Sequence, residues 1–331
     1  MADGPDSVEL TAAAPVAKPA LWRQLLPWLT AAGILGYVFW KVNFSEVSAA
    51  LKSASLVAVI AGYAVYTLTY YITDALSFWR CYSRYNLPIR FSEVFKLRLA
   101  SYLVQALNGA VTEVLTVLYL YRRHRVPALS SASSGLFVYF LETYNMVLAA
   151  SICLIMVPQL RTLPTLGPAL VGICAAAWLF LLLWLLYWHT GLRNRLWPSL
   201  QERTLLTAFA QAKLWHYPEI WLYRLLTVAA SVWANIWIFR SMGVTAPTGL
   251  LVAVVPLIVN IVYWPVSAGG MGGPQLAADI LLRGYATSAQ AVAWSLILSA
   301  SFLLTRTLTG VFFIRPVWRA AFQTKPKNTH S

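Results

Sequence analysis

Seven ionisable residues stand inside or at the edges of long apolar stretches: Asp74, Glu113, Glu142, Glu219, Arg224, Asp279 and Arg306. A charge near mid-bilayer costs at least about 2.5–3.5 kcal/mol, so such groups face a cavity or one another. Glu142 lies eight residues past Ser134, Glu113 nine before Arg122 and Arg306 nine before Arg315. At a helical rise of 1.5 Å per residue all three fall about 12–14 Å from one basic end, so they can meet. Asp74, six residues before Arg80, is expected shallower, at an entrance. The chemistry implied is a cavity open to the cytoplasmic leaflet, with one cation and several carboxylates, suited to a phosphate-bearing amphiphile. Local readings stand beside this one. Asp279 and Arg283 are spaced as an i,i+4 ion pair. Glu219 and Arg224 begin a span and read as interfacial groups. Glu142 with Arg306 reads equally as a structural ion pair between spans.

Two interruptions accompany these charges. The stretch "VYWPVSAGGMGGPQLAADILL" carries Gly269, Gly270, Gly272 and Gly273 between Pro265 and Pro274, and "ALNGAVTE" carries Asn108 and Gly109. In hydrocarbon an irregular backbone survives only where protein or a water-filled cavity surrounds it. Glycines let backbone amides approach a ligand closely, and amides at a helix start favour an anion. Close helix packing through small residues is the competing explanation. Two interruptions in opposed positions favour the binding site. The candidate substrate-binding residues are therefore Asn108, Gly109, Glu113, Glu142, Gly269, Gly270, Gly272 and Arg306.

The elements that must hold these residues are membrane helices. Hydrophobic residues make up 59% of the chain and charged ones 11%, and the apolar runs approach twenty residues. Six spans are expected, at Gln24–Trp40, Leu56–Trp79, Ser134–Val157, Pro168–Trp188, Pro218–Phe239 and Ala289–Ile314. Trp22, Trp40, Trp79 and Trp188 at their ends fit an aromatic belt. The net charge of +14 comes from short connections rather than one soluble face, which speaks for positive-inside topology and against nucleic acid. Basic residues flank Leu97–Tyr121 on both sides, so that region is expected to enter and leave from the cytoplasm; Thr248–Leu282 is expected to do the same from outside. The fold class is thus all-α, a polytopic membrane protein of about six spans and two opposed re-entrant hairpins, with a possible inverted repeat. Gly109 to Arg122 and Gly270 to Arg283 share a spacing of thirteen residues. Residues 1–20 are expected to be a disordered cytoplasmic tail, 21–319 the membrane domain and 320–331 a basic cytoplasmic tail, both termini lying inside. Cys81, Cys153 and Cys174 share no ligand spacing with the four histidines, so neither a metal nor another cofactor is expected.

At "SAGGMGG", followed by a short helix and "AWSLILSASFLLTRTLTG", the chain resembles the flippase-like family named after the transmembrane region of lysylphosphatidylglycerol synthase, over Trp22 to Arg319. That family carries a Pro/Gly loop with a following acidic residue in each half and an arginine late in the last span. Gly109 and Glu113 match the first loop, Gly269, Gly270 and Gly272 the second, and Arg306 the arginine. Asn108 and Ala268 stand where the family's loops commonly have proline. The resemblance implies a lipid flippase or translocator handling a phospholipid or polyprenyl-phosphate-linked lipid in a bacterial-type cytoplasmic membrane. A membrane transferase acting on lipid-linked substrates, and a non-catalytic partner of a lipid or glycan biosynthetic enzyme, are the alternatives.

Overall fold

The computed structural model describes residues 29–322, apart from 31, 39, 41, 108–111, 162–165, 201–202, 262–266 and 269–270. In chain order its helices are α1 (within 29–40), α2 (Phe44–Ser53), α3 (Leu56–Tyr85), α4 (Phe91–Leu107), α5 (Thr112–His124), α6 (Ala128–Met156) and the short α7 (Pro158–Arg161). There follow α8 (Leu166–His189), the short α9 (Leu192–Arg195) and α10 (Thr207–Gln211), α11 (His216–Ser241), α12 (Thr248–Ile261), α13 (Gly273–Leu281) and α14 (Ser288–Phe322). Two-residue strands, β1 (Ser267–Ala268) and β2 (Met271–Gly272), pair antiparallel ahead of α13.

Local chemistry marks where the helices begin. The Asn43 side chain accepts the Ser45 N–H at the start of α2, and Ser55 accepts the Ala58 N–H at the start of α3. Before α14, Thr287 Oγ1 accepts the Gln290 N–H while Gln290 Oε1 accepts the Thr287 N–H, a reciprocal cap.

Helices α3, α6, α8, α11 and α14 are long and apolar enough to cross a membrane. They account for five of the six expected spans; the remaining one, Gln24–Trp40, lies partly outside the described residues. Their outer faces carry large apolar side chains such as Leu56, Leu183, Leu304 and Phe312, all exposed, as befits a protein whose solvent is lipid. Chain direction follows from contacts at the helix ends. Tyr85 at the end of α3 bonds His216 at the start of α11 (2.8 Å), and the Ser55 N–H donates to Ser241 Oγ at the end of α11 (3.2 Å), so α3 and α11 run antiparallel.

Both hairpins return to the end from which they set out. Near the start of α4, Glu93 accepts from Tyr119 (2.7 Å) and Arg123 (3.1 Å), which lie in the last two turns of α5. Gln290, at the start of α14, donates to the Met242 carbonyl just past α11 (3.1 Å), so α12 and α13 lie between two points at one end. The arms α4, α5, α12 and α13 are about 25, 20, 21 and 14 Å long, each short of a hydrocarbon core of about 30 Å. The first hairpin opens at the Tyr85–His216 end and the second at the Ser55–Ser241 end. They are opposed.

Each hairpin is also held by the other half of the chain. Helix α4 packs along α14, and α12 packs along α6, the reciprocal exchange an inverted repeat requires. Gly310 makes the first of these contacts possible. A Cβ there would fall 2.5 Å from the Leu103 backbone nitrogen and 2.8 Å from its Cα. One hydrophobic cluster closes each end: Tyr85, Leu120, Phe137, Trp188 and Val317 meet at one, and Val47, Met242, Leu251 and Trp294 at the other.

Candidate functional site

Between the two clusters lies an unbroken chain of charges, Glu113–Arg98–Asp74–Arg224–Glu142. Asp74 on α3 is its hub: Oδ2 accepts from Arg98 Nε (2.8 Å) and the Tyr102 hydroxyl (2.7 Å), and Oδ1 accepts from Arg224 Nη1 (2.6 Å). Arg98 Nη1 continues to Glu113 Oε1 (2.7 Å), to which the Tyr139 hydroxyl also donates. Arg224 Nη2 reaches Glu142 Oε1. The three central side chains are at most 2% exposed, whereas Glu113 and Glu142 keep 27% and 29% of their surface. The middle is sealed and the ends are open. Burying charges is tolerable here because each one has an opposite partner and further hydrogen bonds, and the Arg98 guanidinium also lies 3.7 Å from the Phe78 ring centre.

Arg306 on α14 reaches Tyr70 and Tyr102, the aromatic neighbours of this charge chain. Its Nε donates to Gln105 Oε1 (3.0 Å), and its guanidinium lies over the rings of Phe302 (3.9 Å) and Tyr70 (4.6 Å). Arg224 is 6.0 Å from that same Tyr70 ring, so both cations neighbour one aromatic side chain.

Beside Tyr70 is a pocket of about 30 Å³, lined from α3 by Tyr66 and Tyr70, from α6 by Glu142 and Asn145, from α11 by Arg224, Thr227, Val228 and Ser231, and from α12 by Pro256, Val259 and Asn260. Pro256 lacks an N–H and so withdraws one bond from the α12 ladder, and Asn260 Nδ2 donates to the Pro256 carbonyl (2.7 Å). Glu142 is the fifteenth of the 29 residues of α6, and Asn260 is next to last in α12. The deep end of the second hairpin therefore meets the middle of a span. Arg224 Nε and both polar atoms of the Asn145 side chain are buried there with no hydrogen-bond partner among the described residues.

Several expected residues fall elsewhere than the sequence placed them. Glu113 and Glu142 stand at the two ends of one ion-pair chain, and Glu142 is paired with Arg224 rather than Arg306. Asp74 is fully buried rather than at an entrance, because α3 runs on to Tyr85, eleven residues beyond it. Arg224 is 2% exposed rather than interfacial, being eight residues beyond the start of α11. Glu219 keeps its place near the helix start, against Arg80 (3.2 Å) and Arg84 (3.0 Å), and Asp279 pairs with Arg283 at 3.7 Å. Gly272 has φ 92°, a conformation that favours glycine, and its N–H is engaged by Gln275 Oε1 (2.6 Å). Asn108, Gly109, Gly269 and Gly270 lie outside the described residues.

Sequence reasoning did not single out Arg98. The signal was present, since Arg98, Tyr102 and Gln105 recur at helical spacing and place three polar groups on one face of α4. Asn145, three residues after Glu142, was missed in the same way.

A family model described as the lysylphosphatidylglycerol synthase TM region matches residues 24–310. The chain belongs to this family. Comparison with curated proteins gives no match. The matched range includes every member of the charge chain, the pocket and Arg306. As a member of the lysylphosphatidylglycerol synthase TM-region family, the chain is a multi-pass membrane protein of lipid biosynthesis or translocation.

Proposed function

We propose that this protein translocates a phosphate-bearing lipid, a phospholipid or a polyprenyl-phosphate-linked lipid, across a bacterial-type cytoplasmic membrane, with both termini in the cytoplasm and no chemical change to the lipid. The observation that carries this reading is Arg224 Nε, a buried cationic donor without an acceptor among the described residues, on a side chain that lines a pocket midway through an apolar bundle. A phosphate oxygen is the acceptor such a donor suits, and a charge-assisted bond in a low-dielectric site is stronger than a neutral one. Arg306 brings a second guanidinium to the same Tyr70 ring. Two hairpins entering from opposite ends give a site that can be reached alternately from either leaflet, as in other inverted-repeat carriers.

The test is purified full-length protein in liposomes with a fluorescent short-chain phospholipid, read by quenching from outside and by mass spectrometry. Redistribution faster than in protein-free vesicles, with unchanged lipid mass, is expected, and Arg224→Gln should slow it. Redistribution at the protein-free rate overturns the proposal, and a lipid of altered mass replaces it with a transferase.

A further inference from the structure

We infer that the connection between α8 and α11, residues 192–200 and 203–215, binds acidic phospholipid headgroups in the leaflet at the Tyr85–His216 end. This surface is separate from the pocket at Tyr70, and its role holds whether or not the protein moves lipid.

The connection breaks into α9, α10 and single turns at Pro198–Leu200 and Thr204–Leu206, and its inner side is anchored to the bundle. Ala208 and Phe209 are buried, and the Ala208 N–H donates to Ser133 Oγ on α6 (2.9 Å). The Phe209 ring centre lies 5.1 Å from that of Phe137 and 5.3 Å from that of Trp184, and the Trp197 carbonyl accepts the Tyr187 hydroxyl (2.7 Å). These contacts set its depth. The 24 residues of α8 extend about 36 Å, so α8 centred on a hydrocarbon core of about 30 Å puts Trp184 just inside the core's edge. Phe209, beside Trp184, therefore holds the connection at the headgroup layer rather than in bulk water.

The outer side suits that layer. Leu196, Trp197, Leu205, Leu214 and Trp215 are 43–64% exposed. Such apolar side chains are a liability in water, whereas at a membrane surface they insert, and tryptophan is favoured there. Arg193, Arg195, Arg203 and Lys213 are interspersed with them, against Glu202 as the one acidic residue of the stretch. Arg195, Arg203 and Lys213 are exposed. Each basic group near a membrane surface adds a preference of about fivefold for acidic lipid. The same charges would suit an acidic soluble protein, but the depth of the Phe209 anchor favours the membrane.

The experiment uses full-length Ser199→Cys, exposed between Trp197 and Arg203, labelled with bimane in liposomes of phosphatidylcholine with a minor share of phosphatidylglycerol. Cys81, Cys153 and Cys174 are buried and should take little label. Quenching is compared for phosphatidylcholine and phosphatidylglycerol that each carry a nitroxide high on one acyl chain. Both lipids are expected to quench, with phosphatidylglycerol at least about fivefold more effective at equal mole fraction. The triple variant Arg195→Gln, Arg203→Gln, Lys213→Gln, or about 1 M salt, should bring that ratio toward one and leave quenching by phosphatidylcholine unchanged. The three side chains are exposed, so the triple variant should melt at the wild-type temperature. Absence of quenching by either lipid puts the connection in water, as a surface for a soluble partner. Equal quenching leaves apolar anchoring without recognition of charge, and an undiminished ratio in the triple variant places the preference elsewhere. Each of these results overturns the inference, and none bears on translocation, which the experiment does not read.

Discussion

Glu142 and Arg224 are engaged with each other at the pocket wall, while Arg306 lies over the Tyr70 ring. Double-mutant cycles separate these relationships. Arg224→Met with Glu142→Gln should show a coupling of about 0.5–3 kcal/mol in unfolding free energy, whereas Arg306→Met with Glu142→Gln should be additive to within about 0.5 kcal/mol. Unfolding curves in detergent supply both numbers, and a coupling for the second pair as large as for the first would refute the pairing. Counting residues from the basic ends brought Glu113 and Glu142 toward each other through the rise per residue alone, and they stand at the two ends of one ion-pair chain. Which cation each would meet was not legible, since that depends on how α4 and α11 rotate against α3. Asp74 shows the limit most clearly: its depth was misjudged because α3 continues past Trp79 and Arg80 to Tyr85, with those residues at the rim rather than beyond the helix.

Among the elements, the contact between α4 and α14 sets the position of Arg306 against Gln105, and Gly310 lies one turn beyond Arg306. Gly310→Ala would press a methyl into the Leu103 backbone, which has no rotamer to yield, and is expected to destabilise the protein by about 1–3 kcal/mol. It should also slow lipid redistribution by shifting α4. Gly249→Ala is the control, because its methyl would meet only the flexible end of Met156 and should leave the melting temperature within a few degrees of wild type. A drop for Gly249→Ala equal to that for Gly310→Ala would mean that close approach of backbones is not what holds the hairpin. The hairpins themselves were legible, since Asn-Gly and the glycine cluster break apolar runs, basic residues flank the first on both sides, and the second returns the basic tail to the cytoplasm. Their exchange between halves was not, because small residues that allow close approach look the same in sequence whichever helix approaches.

For the whole molecule, the contacts fix which connections share an end but not which end faces the cytoplasm. Residues 122–125, 189–200, 203–213 and 315–319 lie together at the Tyr85–His216 end and carry far more Lys and Arg than the opposite end, where Lys52, Arg161, Arg240 and Arg283 are found. The positive-inside rule therefore places the first end in the cytoplasm. Ser131, in a cytoplasmic connection by sequence, is fully buried and unsuitable as a probe, whereas Leu129 is 57% exposed at that end and Arg161 is exposed at the other. Cys81, Cys153 and Cys174 are buried and should contribute little background. Leu129→Cys is expected to react with an impermeant maleimide only after the membrane is opened, and Arg161→Cys in intact cells. Asn328→Cys in the terminal segment should behave like Leu129→Cys, because α14 ends beside Trp188 and Tyr217 in the same cluster. Labelling of Leu129→Cys from outside would invert the molecule, so that the first hairpin and the Glu113 end of the charge chain would open toward the outer leaflet. Labelling of Asn328→Cys from outside while Leu129→Cys stays protected would instead contradict the shared end itself, and with it the return of the second hairpin.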